Sequence, residues 1–251
     1  MATGPVTPPV DRLRLTVLGC SGSYPGAGGA CSGYLLRCDA TTIWLDAGSG
    51  TLANLQRHVP IGAVDAVVLS HEHPDHWSDL EGFYVACRYV LGRSGVPVYA
   101  PQGLRDLLRM GPTGETLAWR DITAGDELHI GPMALSFFRT EHPPETLAVR
   151  VDARGRSLGY SADSGPGWSL AALGPGLHLA LCEATFLQEG EGSVPHLSAR
   201  QAGATARAAG AERLLITHLW PTIDPGAARA EAASSFGGPV EVAALNQTYV
   251  A

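Results

Sequence analysis

Ser70-His71-Glu72-His73-Pro74-Asp75-His76 follows directly on the apolar run Ala66-Val67-Val68-Leu69. The run reads as a buried strand and the cluster as the loop leaving its end, the place where ligands bind in sheet-based α/β folds. Neutral imidazole offers a nitrogen lone pair near neutral pH. His71 and His73 are two apart and can aim at one ion from the same side. Asp75 and His76 are adjacent and cannot aim where the first pair does. The spacing therefore predicts two ions side by side, and paired ions about 3.5–4 Å apart form a standard hydrolytic centre. The chain has only nine histidines, so three within six residues are not a product of composition.

Length and composition bound the rest. A chain of 251 residues can bury a large core, and 45% hydrophobic with 7% aromatic residues fits a soluble globular protein. No apolar run reaches the length of a transmembrane helix. Met1-Ala2-Thr3-Gly4-Pro5 lacks the basic and apolar regions of a signal peptide, so the expected compartment is the cytoplasm. Cys20, Cys31, Cys38, Cys87 and Cys182 are odd in number, scattered and without a C-x-x-C pair. They read as reduced, buried small residues. The net charge of −7, with no strongly basic segment, weighs against a long nucleic-acid partner and leaves room for a local basic patch.

Taken in order, residues 1–12 are rich in Pro and Thr and read as disordered or draped on a neighbour. Strands are expected over 13–18, 33–38, 42–45, 66–69, 96–100, 126–130, 133–140, 146–151, 157–161, 177–182, 213–217 and 240–245. Helices are expected over 51–58, 76–91, 103–110, 168–173, 198–209 and 226–236. Ser198-Ala199-Arg200-Gln201 has the form of a capping box. Residues 111–125 read as a connection, and His58, His129 and His178 as solvated or structural. The strand pattern ends near residue 120 and then repeats. Two halves of mixed sheet, each faced by helices, make an α/β (α+β) fold: a four-layer αββα sandwich, one domain over 13–251.

The form H-x-H-x-D-H resembles the signature of the metallo-β-lactamase superfamily. The resemblance implies the same sandwich, with the metals in the cleft between the sheets. It also implies three further ligands on loops after strands, and His142, Asp163 and His218 stand at such places in the expected order. On this reading His71, His73 and His142 hold one ion, Asp75, His76 and His218 hold the other, and Asp163 bridges. Asp75 is also expected to orient the attacking hydroxide, and Asp46 to support the metal loop. Zinc is the default cation for such donors, and manganese or iron also fits.

Two more stretches narrow the chemistry. Cys182-Glu183-Ala184 and His196-Leu197-Ser198 resemble segments of the ribonuclease Z-like branch, where a Glu orients a His beside the scissile bond. Cys182 departs from that branch, which often has a His there. The resemblance makes His196 the general acid, oriented by Glu183, with attack by a hydroxide shared between the ions. Ribonuclease Z carries a long tRNA-gripping arm between its equivalents of His142 and Asp163; here only 20 residues separate them. The chain as a whole is similar to compact actinobacterial phosphodiesterases of this branch that cleave 3′,5′-cyclic nucleotides. The similar segments include Val17-Leu18-Gly19-Cys20-Ser21-Gly22, Leu55-Gln56-Arg57-His58 and Thr217-His218-Leu219-Trp220-Pro221. The expected substrate is thus a small phosphodiester such as cyclic AMP. The alternatives are a tRNA 3′-processing endonuclease and a lactone or thioester hydrolase. A homodimer is left open.

Overall fold

The structure is a computed structural model that describes residues 10–109 and 115–251. Along β3 (Thr41–Ala47), successive side chains face opposite ways. Ile43 and Leu45 join one buried cluster and Trp44 joins another. Likewise β12 (Leu214–Thr217) gives Leu215 to the first cluster but Leu214 and Ile216 to a third. The first cluster lies between two sheets and the others lie under helices, so the layers run αββα.

The first sheet has the order β14-β1-β2-β3-β4-β5-β6. Its strands are β1 (Val10–Gly19), β2 (Gly33–Asp39), β3, β4 (Ala66–Val68), β5 (Val96–Ala100), β6 (Leu117–Asp121) and the late β14 (Thr248–Val250). The second sheet has the order β13-β12-β11-β10-β9-β8-β7. It holds β7 (Glu127–Ile130), β8 (Met133–Arg139), β9 (Leu147–Ala153), β10 (Arg156–Tyr160), β11 (Leu179–Glu183), β12 and β13 (Val240–Val242). β3 to β6 are parallel, as are β10 to β13.

Helices α1 (Thr51–Leu55) and α2 (Leu80–Val85) cover the first sheet, and α3 (Ala199–Ala208) and α4 (Pro225–Phe236) cover the second. The start of α3 is fixed by a capping box: Ser198 Oγ accepts from Gln201 N–H, and Gln201 accepts from Ser198 N–H. At α4, Asp224 caps Ala227 N–H and Pro225 opens the first turn.

Several sequence expectations need correction. The helix expected over 76–91 is broken into a 3₁₀ turn at Pro74–His76, α2, and a π-helical turn at Ala86–Leu91. Trp77 leaves helical geometry at φ −144°, and its ring N–H is drawn back to the Glu72 carbonyl. The helix expected to reach His58 stops at Leu55, and His58 is not simply solvated: its Nε2 lies 2.9 Å from Asn246 Oδ1. The helices expected over 103–110 and 168–173 are short 3₁₀ turns, Leu104–Leu107 and Leu170–Leu173. The connection expected over 111–125 contains the edge strand β6, whose polar Trp-Arg-Asp end hid the alternation; residues 110–114 lie outside the described part. The last strand ends at Val242, after which β14 crosses to pair with β1. β1 begins at Val10, inside the segment expected to be disordered, and residues 1–9 lie outside the described part. Among the described residues, no helix is long and apolar enough to cross a membrane.

Trp44 and Phe83 are both fully buried and meet edge to face, with centroids 5.5 Å apart. This contact holds α2, which follows the metal loop, against the first sheet. Phe83→Ala is expected to cost about 3–5 kcal/mol in urea unfolding. A loss below about 1 kcal/mol would show that α2 docks by other means.

Candidate metal centre

Four loops carry the donor side chains, each leaving the C-terminal end of a strand. His71, His73, Asp75 and His76 follow β4, His142 follows β8, Asp163 follows β10, and His218 follows β12. All but His73 and Asp75 are buried. The loops come very close. A Cβ on Gly48 would stand 2.0 Å from the Asp75 carbonyl, and one on Gly22 would stand 2.3 Å from the His218 carbonyl. Only glycine fits at either place.

Asp163 sits at the middle. Its Oδ2 lies 3.5 Å from His71 Nε2 and 3.8 Å from His142 Nε2. Its Oδ1 lies 3.2 Å from His76 Nε2 and 3.4 Å from His218 Nε2. His73 Nδ1 joins the first set, 3.1 Å from His71 Nε2 and 3.2 Å from His142 Nε2. Asp75 Oδ2 joins the second, 3.3 Å from His218 Nε2 and 3.6 Å from His76 Nε2. The donor atoms of His71, His73, His142 and Asp163 lie within 4.8 Å of one another, as do those of Asp75, His76 and His218. All seven residues singled out in the sequence as ligands thus lie together, in two sets sharing one carboxylate.

The donor chemistry fits cations. His76 Nε2 and Asp163 Oδ1 are buried without a hydrogen-bond partner, although they stand 3.2 Å apart. A buried polar atom left unpaired costs about 1–3 kcal/mol. Two such atoms facing a common space are satisfied by one shared ion. Burial holds the His71 and His142 imidazoles below their ordinary pKa, so both are neutral donors. Burial opposes ionisation of Asp163, but His218, His76 and His71 outweigh it and hold its carboxyl well below the usual range. Asp75 is shifted down in the same way, against burial, by His76 and His218. Burial also works against a charged His76, yet Asp163, Asp75 and Asp46 push its pKa well up. Three carboxylates around one buried ring make a place that demands positive charge. The cluster is consistent with a dinuclear metal site.

The second ring nitrogen of each buried histidine is also provided for. His76 Nδ1–H donates to Asp46 Oδ2 at 2.8 Å. Ser70 Oγ gives its proton to Asp46, so it accepts from His71 Nδ1–H at 3.0 Å. His142 Nδ1–H donates to the Pro195 carbonyl at 3.1 Å. Thr185 Oγ1 gives its proton to Glu183 and accepts from His218 Nδ1–H at 2.9 Å. Every one of these bonds turns Nε2 toward the centre. Of these supports, Asp46 was legible in the sequence. Ser70, Thr185 and the Pro195 carbonyl were not, because nothing in their spacing marks them.

Glu183 and His196 stand at the edge of the cluster. His196 Nδ1–H donates to Glu183 Oε1 at 3.0 Å and lies 4.0 Å from Asp163 Oδ2. Its ring lies 4.8 Å from that of His142 and stacks on that of His218 at 5.4 Å. Burial works against its charged form, but Glu183 outweighs it and carries the pKa up to about 9. The Gly-rich turn after β1 reaches the site too: Ser23 N–H donates to Asp75 Oδ2 at 2.9 Å, and Trp220 Nε1–H donates to Ser23 Oγ at 3.1 Å.

A family model described as a β-lactamase superfamily domain matches residues 41–219. The chain is 36% identical over 254 residues to the uncharacterized protein Rv1339 of Mycobacterium tuberculosis, covering 96% of this chain and 93% of that one. It is 32% identical over 242 residues to the probable metallo-hydrolase YhfI of Bacillus subtilis, covering 92% and 97%. The crystal structure of YhfI matches with a TM-score of 0.89, over 96% of this chain and 100% of the other. Ribonuclease Z of Mycobacterium bovis is 27% identical over 270 residues, covering 92% and 95%.

The geometry predicts unequal effects of removing carboxylates. Asp163→Asn is expected to lose both cations after dialysis, whereas Asp75→Asn retains about one per chain. Elemental mass spectrometry of the dialysed proteins checks this, and two cations kept in Asp163→Asn would count against a shared carboxylate. Asp46→Ala is expected to weaken cation affinity about 10–100-fold without removing any ligand. Competition with a chromogenic chelator measures that loss.

Proposed function

This chain belongs to the β-lactamase superfamily and is a metallo-hydrolase of that fold; from that premise we propose that it is a phosphodiesterase acting on a small phosphodiester, a 3′,5′-cyclic nucleotide such as cyclic AMP. The observation that carries the reading is the Glu183–His196 pair beside the two-set cluster.

On this proposal His71, His73, His142 and Asp163 hold one divalent cation, and Asp75, His76, His218 and Asp163 hold the other. When bound, such a pair activates water and offsets charge on the phosphoryl oxygens. The chain itself supplies the proton for the departing oxygen. With Nδ1–H committed to Glu183, His196 has Nε2 as the nitrogen left to donate. Glu183 is held in turn by Ser164 N–H, Leu197 N–H and Thr185 Oγ1–H, so the imidazole is hinged on a fixed partner. The Ser23 N–H holds Asp75 from the side of the Gly-rich turn.

Substrate size follows from what lies between the ligands. His142 and Asp163 are joined by the β9–β10 hairpin, with no length for an RNA-gripping arm. A net charge of −7 also disfavours a long polyanion. The likeness to ribonuclease Z favours phosphodiester chemistry, while the short connection favours a small substrate.

Cation-loaded protein is expected to hydrolyse cyclic AMP. His196→Ala should lower kcat about 10²–10⁴-fold with cation content unchanged. A panel of cyclic AMP, cyclic GMP, an aryl phosphodiester, a precursor tRNA and a lactone decides the class. Full activity in His196→Ala, or a lactone turned over faster than every phosphodiester, sinks the reading. Cleavage of the precursor tRNA without action on cyclic nucleotides moves the chain to the endonuclease alternative.

A further inference from the structure

The three parallel strands β10, β11 and β12 have chemistry at both ends. Past their C-terminal ends stand Asp163, Glu183 and His218. At their N-terminal ends stand Arg156, the first residue of β10, His178, just before β11, and Arg213, just before β12. These three, with Arg12, Arg154 and Glu212, line a cavity of about 560 Å³. At about 3.3 Å per residue, strands of four or five residues put that cavity roughly 13–17 Å from the metal centre. It is a separate place on the molecule.

The sequence contains no lysine, so all 17 of its cationic side chains are arginines, and four of them meet at this one cavity of an acidic chain. Their charges are only partly answered. Arg154 pairs with Asp39, and Arg213 donates to the Val250 carbonyl, which carries no charge. Glu212 in the wall offsets one more. Arg12 and Arg156 have no side-chain hydrogen bond or ion pair among the described residues. His178 Nδ1 accepts from Ser157 N–H at 3.0 Å, so Nε2 is the nitrogen that carries a proton.

We propose that this cavity binds a small phosphorylated anion. The planar fork of guanidinium matches the oxygens of a phosphoryl group, with two parallel N–H bonds from each arginine. A volume of about 560 Å³ falls in the range of small-molecule sites. Arg12 and Arg156 supply positive charge that has no partner among the described residues, and His178 supplies an N–H donor at the wall.

The test is calorimetric titration of cation-loaded protein with inorganic phosphate. Wild-type protein is expected to show a saturable binding event that Arg12→Ala/Arg156→Ala weakens at least about 10-fold. Asp163→Asn, altered only at the metal centre, is expected to keep it. Arg156→Glu should act like the double variant. Both arginines are exposed, and neither touches the reaction site, so hydrolysis should be unchanged in the arginine variants. The proposal is overturned if wild type shows no saturable event, if the arginine variants bind phosphate as wild type does, or if Asp163→Asn abolishes the event.

Discussion

A histidine that faces a cation through one nitrogen must place the proton of the other. In a buried site that requirement reaches outward, because each N–H needs an acceptor and each acceptor needs its own support. Here, for His71, His76 and His218, the demand ends on two buried carboxylates, one near the end of a strand in each sheet, and for His142 on the Pro195 carbonyl. Asp46, in β3, takes bonds from Ser70 N–H, Ser70 Oγ–H, His76 Nδ1–H and Tyr160 O–H. Glu183, in β11, takes bonds from Ser164 N–H, Leu197 N–H, Thr185 Oγ1–H and His196 Nδ1–H. Burying a carboxylate costs several kcal/mol. Four bonds to a charged group, each worth about 1.5–3 kcal/mol, can offset that cost. The two anchors are therefore stable where they are, and the imidazoles inherit their orientation.

The sheets themselves are tied together by polar bonds across the apolar layer between them. Tyr160 in the second sheet reaches Asp46 in the first at 2.7 Å, and Tyr34 in the first reaches Thr217 in the second at 2.7 Å. The two rings meet edge to face at 5.2 Å. Thr217 precedes His218 and Tyr160 lies three residues before Asp163, so these bonds set the spacing of the donors as well as of the sheets. The backbone bends sharply where it leaves the strands. Asp46, Ala162 and His218 adopt left-handed φ of 54°, 50° and 59°. That conformation costs roughly 1–2 kcal/mol for a residue with a side chain. It recurs where the direction of a side chain at the site matters more than local ease.

Much of this was legible because the chemistry is written at the ends of hydrophobic runs. The cluster 71–76 announces itself by density, and His142, Asp163 and His218 each follow a strand-like run. The parallel strands β3, β5, β10, β11 and β12 were equally plain from their apolar content. What stayed hidden was decided by tertiary contact. β6 is an edge strand with one buried face position, Leu117, and two exposed ones, Arg120 and Asp121, so its alternation is faint. β14 is three residues long, and its pairing with β1 depends on a partner more than 200 residues away. The break in the helix after His76 follows from docking Trp77 back on the metal loop, which no propensity foretells.

Glu183 has a consequence beyond orienting His196. Its Oε2 accepts from Thr185, and Thr185 accepts from His218, so one carboxylate fixes both the His196 imidazole and a residue of the donor cluster. Its Oε1 accepts from Ser164 N–H, next to the shared Asp163. Removing that carboxylate would disturb three elements at once: the β10 loop, the β12 loop and the imidazole at the edge. A loss of turnover after such a change would not by itself identify proton transfer, because the cation set would also have moved. His196 is different. Its only side-chain hydrogen bond among the described residues is to Glu183, and it meets His142 and His218 through ring contact without orienting either of their Nδ1–H groups. The physical role of the imidazole is therefore separable from the integrity of the centre, whereas the role of its carboxylate partner is not.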